Sequence, residues 1–333
     1  MKRRARSSMW TKPSPSCGHS RRLIPPRHNP GPLSARGLRR AWPCLTVALA
    51  LLALPVGAQA TGSLRLSTWN LEWLTTRPQG DPALPPDVTP RTEAELDRLA
   101  HYASRLAPDI AALEEVDSPQ LAARLFPAQH YRIIMSNDPV VQKVALAVRA
   151  DLVVMRHGDV TALDVYPPSA PHHLRAGLDV TIGQGADSLR VLMVHLKAGC
   201  RDSQPAARKP ACQTLMRQIA IVQDWIMERQ DEGEAFVVMG DFNRLLAPDD
   251  PAWRALSENG PLALATAGRA SPCAQGNYFI DHIIAGGRAR EWLRPDSLRV
   301  MLYRENEHDD TTRLSDHCPI SVRLSLPDAH GTP

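Results

Sequence analysis

Two segments, LRVLMVHL (189–196) and AFVVMGDF (235–242), are almost wholly apolar and then run into His195 and Asp241. A strand that is apolar on alternate residues needs one covered face, whereas a strand apolar throughout needs both faces covered. These two segments therefore belong at the centre of a sheet packed on each side. Around them, LRLSTWNL (64–71), DIAALEEV (109–116), YRIIMS (131–136), VALAVR (144–149), NYFIDHIIA (277–285) and CPISVRLSL (318–326) read as further strands. TLMRQIAIVQDWIMERQ (214–230) carries an apolar stripe of helical period. In TPRTEAELDRLAHYASRLAP (89–108), Leu96, Leu99, Tyr102 and Leu106 recur at helical steps, and Thr89 before Pro90 predicts the cap. Short apolar runs alternating with amphipathic stretches give an α/β or mixed sandwich, not a repeat protein.

The first sixty residues are of another kind. They hold eleven Lys or Arg and no Asp or Glu, and end in LTVALALLALPVG followed by AQA. A basic stretch, a short apolar run and small residues predict an export signal over residues 1–60, cleaved after Ala60, with one catalytic domain over 61–333. The apolar run is shorter than the roughly 20 residues a spanning helix needs, so no stable membrane span is expected after cleavage. Localisation is then periplasmic or secreted. Without the leader, 28 basic side chains face 35 acidic ones, so the formal charge of +4 becomes −7. The overall basic balance is a property of the leader and is no argument for polyanion binding. Of six cysteines, Cys200, Cys212, Cys273 and Cys318 remain, enough for two bridges in an oxidising compartment. Cys200 and Cys212 flank a polar, Pro-containing stretch that a short bridge would staple, leaving Cys273 with Cys318. There is no C-x-x-C that would indicate a cysteine-ligated zinc.

Polar groups interrupt the apolar pattern at strand ends: Asn70, Glu72, Glu115, His195, Asp241, Asn243, Asp281, Asp316 and His317. Rigid strands deliver side chains accurately at their ends. Carboxylates, amides and imidazoles without cysteine suit a hard, oxygen-preferring cation, Mg²⁺ or Mn²⁺. Neither G-x-S-x-G nor a P-loop occurs, which leaves direct attack by water rather than a covalent intermediate.

STWNLEWL, LEEV, VHLKAG, GDFN, IDHI and LSDHCPI occur in this order between residues 67 and 320. In this the chain resembles the endonuclease/exonuclease/phosphatase superfamily, which includes deoxyribonuclease I, abasic-site endonucleases, inositol polyphosphate 5-phosphatases and neutral sphingomyelinases. The resemblance implies a four-layer α/β/β/α sandwich of two packed mixed β-sheets flanked by helices. It makes Glu115 the main metal ligand, with Asn70 and Asp316 close by, Glu72 assisting and Glu114 the competing ligand. It gives Asp241 and Asn243 the orientation of water and phosphate. His317 with Asp281 becomes a carboxylate-fixed general base, and His195 a stabiliser of a phosphate oxygen or a donor to the leaving group.

Substrate choice falls to the loops at 75–90, 136–143, 156–173, 198–212 and 303–314. Lys197, Arg201, Arg208 and Lys209 form the most basic local patch, suited to a nucleic-acid backbone. The expected activity is a nuclease acting on nucleic acid. A phosphatase or lipid phosphodiesterase, or a non-catalytic binding member of the same fold, are the alternatives.

Overall fold

The computed structural model describes residues 62–202, 209–273, 278–304 and 314–327, all within one compact unit, Ala58–Pro333. The leader with its cleavage site, Arg208 and most of the 303–314 loop lie outside the described residues.

Among the described residues twelve strands form two six-stranded mixed sheets. The first contains β1 (Ser63–Leu74), β2 (Ile110–Val116), β3 (Tyr131–Met135), β4 (Lys143–Arg149), β11 (Leu293–Val300) and β12 (Ile320–Ser325), in the order β11-β12-β1-β2-β4-β3. The second contains β5 (Val154–Arg156), β6 (Leu178–Ile182), β7 (Leu189–His195), β8 (Ala235–Asp241), β9 (Ala263–Leu264) and β10 (Asp281–Gly287), in the order β5-β6-β7-β8-β10-β9. Helices α1 (Glu93–Leu106) and α2 (Pro119–Leu125) lie on the first sheet; α3 (Pro210–Asp231) and α4 (Pro251–Leu256) lie on the second.

Three apolar clusters separate the layers. Leu64 and Leu66 of β1 join Val191 and Met193 of β7 between the sheets. Trp69 and Leu71, on the opposite face of β1, pack with Leu96, Leu99 and Tyr102 of α1. Leu192 and Val194 of β7 pack with Leu215, Ile219 and Val222 of α3. Both faces of β7 are thus covered, which its continuous apolar run requires. The result is the α/β/β/α sandwich expected from the sequence.

Each sheet holds one parallel pair closed by a helical crossover, β1-α1-β2 and β7-α3-β8. Parallel pairing brings the C-terminal ends of both strands to one edge. β10 and β12 run antiparallel to β8 and β1, so Asp281 and the residues before Ile320 return to that edge.

Two bridges, Cys200–Cys212 and Cys273–Cys318, join the expected partners. The cap of α1 differs from expectation: Thr92, not Thr89, caps the helix. The Thr92 hydroxyl accepts from the Glu95 amide while the Glu95 carboxylate accepts from the Thr92 amide, a reciprocal box that Thr89 cannot form.

His282 of β10 is buried against the Phe242 ring. Its Nε2 is 2.9 Å from the Arg244 carbonyl oxygen, which can only accept, so Nε2 carries the proton and Nδ1 accepts from the Thr266 hydroxyl at 2.7 Å. Burial, opposed by the Arg244 carbonyl and the charges of Asp281 and Asp250, lowers its pKa to about 4. The unfolded chain takes up this proton near pH 6.5 and the folded chain only near 4, so stability present above pH 6.5 is lost as pH falls through that window. Urea denaturation at pH 7.5 and 4.5 will show a loss from this group on the order of 3 kcal/mol. A His282→Asn variant will lack that component of the pH dependence.

Candidate active site

Eight of the nine polar residues singled out at strand ends line one cleft of about 730 Å³. The ninth, Asp281, stands behind His317. Asn70 and Glu115 come from the ends of β1 and β2, His195 and Asp241 from the paired ends of β7 and β8.

Local backbone irregularity aims these side chains. Among the described residues, five non-glycine residues have positive φ: Glu72 (45°), Trp73 (59°), Ala107 (40°), Glu115 (63°) and Asn243 (51°). Ala107 closes α1; the other four are at the cleft. Such conformations are costly for side chains with a Cβ and persist only where surrounding contacts hold them. The β1-β2 and β2-β4 registers both shift in this region, between Asn70 and Leu74 and between Leu113 and Val116. That irregularity separates two adjacent acids. Glu115 reaches the cleft, where Oε2 accepts from the Trp73 amide (3.0 Å) and Oε1 from Asn70 (3.3 Å). Glu114 points inward to the Thr68 hydroxyl, and burial, with Asp281 and Asp241 nearby, pushes its carboxyl well above the usual range.

Asp241 is the most connected group. It accepts from the Asn243 amide (2.7 Å), Asn243 Nδ2 (3.0 Å) and Asn70 Nδ2 (3.0 Å). His195 Nε2 and His317 Nε2 lie 3.5 and 3.9 Å from its Oδ2. Burial raises its pKa to about 7, with the His317 charge and the hydrogen bonds opposing and Asp281 assisting. On the far side of the His317 ring, Nδ1 faces both Asp281 oxygens at 2.9 and 3.0 Å. Burial disfavours the charged form of His317, but the Asp281 carboxylate, with Asp241 and Asp316, outweighs it and holds the pKa well above normal. His195 is the opposite case: burial, then Arg175, His317 and Lys197, keep it neutral.

Asp241, Asp281 and His317 also bring one donor atom each within 4.8 Å of one another. Glu115, Glu72, Asp316 and the Asn70 amide bring further oxygens to the cleft wall, several of them oriented by backbone amides: Glu115 by Trp73, Glu72 by Asp316 and Asn70 by Glu72. That oxygen-rich set fits a hard divalent cation better.

Arg175 escaped the sequence reading, since an arginine before the LDVTI strand looks like an ordinary solvated residue. It lines the cleft, its Nε is buried without a hydrogen-bond partner, and its one hydrogen bond is a long one to the Leu196 carbonyl (3.5 Å). His195 Nδ1 is likewise buried and unpartnered. Of the expected basic patch, Lys197 and Arg201 line the cleft, the latter stacked 4.7 Å from the Tyr278 ring centre, while Lys209 precedes α3.

A two-sheet sandwich with acids, amides and histidines at one edge defines a class of phosphoester hydrolases. The chain belongs to the Endonuclease/Exonuclease/phosphatase family, matching it over residues 67–317. No curated protein sequence matches it. Among solved structures, truncated Caenorhabditis elegans TDP2 superposes with a TM-score of 0.51 at 17% identity, covering 79% of this chain and 97% of that one. A Neisseria 3′ phosphatase, NExo, bound to a product DNA hairpin gives 0.52 at 18%, covering 78% and 99%. The human Nocturnin catalytic domain with bound sulfate gives 0.52 at 16%, covering 80% and 95%. These likenesses establish the fold.

The contacts around His317 make a prediction. Asp281→Ala and His317→Ala should each lower turnover by orders of magnitude, and the double variant should be little worse than the more damaged single one. Additive losses in steady-state kinetics would separate the two groups.

Proposed function

We propose that the chain is an exported, metal-dependent phosphodiesterase that hydrolyses nucleic acid by direct attack of water. The observation that carries this reading is that one cleft gathers both signs of charge. Glu72, Glu115, Asp241 and Asp316 supply carboxylates, and Arg175, Lys197 and Arg201 supply cations among them. A phosphodiester with a divalent cation matches both.

In this reading Asp241 and Asn243 hold and orient the water and the phosphate. Asp241, raised toward neutrality by burial, takes a proton readily. His317, charged and fixed by Asp281, turns Nε2 toward Asp241 at 3.9 Å and places a cation beside that carboxylate. Neutral His195 and the unpaired Arg175 nitrogen supply donors to phosphoryl oxygens, where charge develops. A divalent cation, Mg²⁺ or Mn²⁺, held by Glu115 with Asn70, Asp316 and Glu72, would supply Lewis-acid neutralisation of that charge.

Export is supported by the leader composition and by two disulfides, which persist in oxidising compartments. Among the described residues no helix is long and apolar enough to cross a membrane. The exposed large apolar side chains Val153, Met155, Met227 and Leu302 do not line the cleft, which weighs against a lipid substrate.

The test is hydrolysis of supercoiled DNA, RNA and bis-p-nitrophenyl phosphate by the exported protein, with Mg²⁺, Mn²⁺ or EDTA and a His317→Ala control. EDTA-sensitive nicking absent from the variant is expected. Turnover of the small ester alone would identify a phosphatase or lipid diesterase, and no turnover at all a binding member.

A further inference from the structure

A second cleft, of about 600 Å³, opens on the outer side of the first sheet where β11, β12 and β1 meet the end of α1. Arg65, Arg105, Arg299 and Arg323 line it, and no carboxylate does. Among the described residues none of the four guanidinium groups forms an ion pair; exposed arginines such as Arg132 and Arg269 form none either, so it is the gathering of four at one cleft that marks these. The four are nonetheless held. One nitrogen of Arg65 donates to the Leu106 carbonyl (2.8 Å), one of Arg299 to the Leu298 carbonyl (2.8 Å) and one of Arg323 to the Ser63 hydroxyl (3.3 Å). Arg105 lies over the Tyr102 ring. Arg105, Arg299 and Arg323 are exposed and Arg65 half-buried, and each has guanidinium nitrogens beyond those used in these contacts, an arrangement suited to phosphate oxygens.

Bulk charge does not account for this cluster. With the leader removed the chain is net acidic, yet four unpaired arginines gather at one place. Arg105 alone could be assigned to the helix end, where a cation is favoured. Arg65 also meets that helix end through the Leu106 carbonyl, but Arg299 and Arg323 come from two other strands and have no such role.

We propose that this cleft is a second binding site for the sugar–phosphate backbone, an exosite that grips nucleic acid away from the bond being cut. Arg65 is five residues from Asn70 along β1, about 17 Å of extended chain. At 3.4 Å per base pair that separation is roughly five base pairs. The odd offset puts Arg65 on the outer face of the sheet and Asn70 on the other, so the path over the surface is longer than this; a duplex of about 20 base pairs, roughly 68 Å, can span it and a dinucleotide cannot. The site adds affinity without base preference, because arginine contacts to phosphate carry register but no sequence information.

The inference rests on the nuclease reading, and the test separates the two. Binding of a 20-base-pair duplex is measured by fluorescence anisotropy between 50 and 200 mM salt, with EDTA present, for the wild type and for Arg299→Ala/Arg323→Ala. Arg105→Ala is a second variant, and thermal melts check folding. Each lost phosphate contact removes about 0.9 from the salt slope, so over this range the wild type should lose about tenfold more affinity than the double variant. Hydrolysis of a dinucleotide and of bis-p-nitrophenyl phosphate should be unchanged. Equal affinity and slope in all three proteins would overturn the exosite while leaving the nuclease reading intact, and so would an equal loss on the dinucleotide. Thermal stabilisation by inorganic phosphate that the double variant loses, with duplex binding unaffected, would assign the cleft to free phosphate and overturn the polymer site. A wild type that neither binds nor cuts duplex would remove both readings.

Discussion

At Gly240 the backbone of β8 passes so close to β7 that a Cβ would stand 1.9 Å from the Val194 carbonyl oxygen. Its φ of 142° is also one that other residues rarely adopt. This approach ends the parallel pairing with His195 opposite Asp241, at the point where the apolar strands give way to polar groups. The GDFN turn follows at once, and Asn243 at positive φ folds back so that its amide and side chain both hold Asp241. Three further polar groups of the cleft are arranged around that carboxylate: Asn70 across the sheets, His195 beside it, and His317 between it and Asp281.

The same edge carries opposite protonation tendencies on neighbouring groups. Burial drives Asp241 and Glu114 toward the neutral form and His195 away from the charged one, while Asp281 keeps His317 charged. Groups of one chemical type are thus given different work by their surroundings, as expected where acid and base chemistry share a site. The Cys273–Cys318 bridge adds a covalent restraint on the residue next to His317.

The buried elements were the most legible in the sequence. β7, β8 and α3 announce themselves because burial on two faces, or along a long stripe, leaves little choice of residue type. β11 was not legible: LRPDSLRV contains a proline and three charged residues and lies at a sheet edge with much of its surface exposed. β6 was missed because LDVTI is short and carries an acid that pairs with Arg190 only in the folded state. The residues near the cleft stood out as polar breaks in apolar runs. Arg175 did not, since its significance lies in a half-buried guanidinium whose Nε has no hydrogen-bond partner, a property of the fold alone. Glu115 was preferred to Glu114 through the family resemblance alone; the physical reason, the shifted register at the end of β2, is one that no residue pattern displays.

The strained edge presents Glu115, and not its neighbour, to the cleft beside Asp241, where the proposed divalent cation would be held. Titration calorimetry of Mn²⁺ into the wild type and into Glu115→Gln and Glu114→Gln variants tests it directly. The account predicts that Glu115→Gln weakens binding severely while Glu114→Gln, replacing a carboxyl that burial already holds neutral, binds Mn²⁺ with near-normal affinity. Equal binding by wild type and Glu115→Gln, or loss confined to Glu114→Gln, would contradict it.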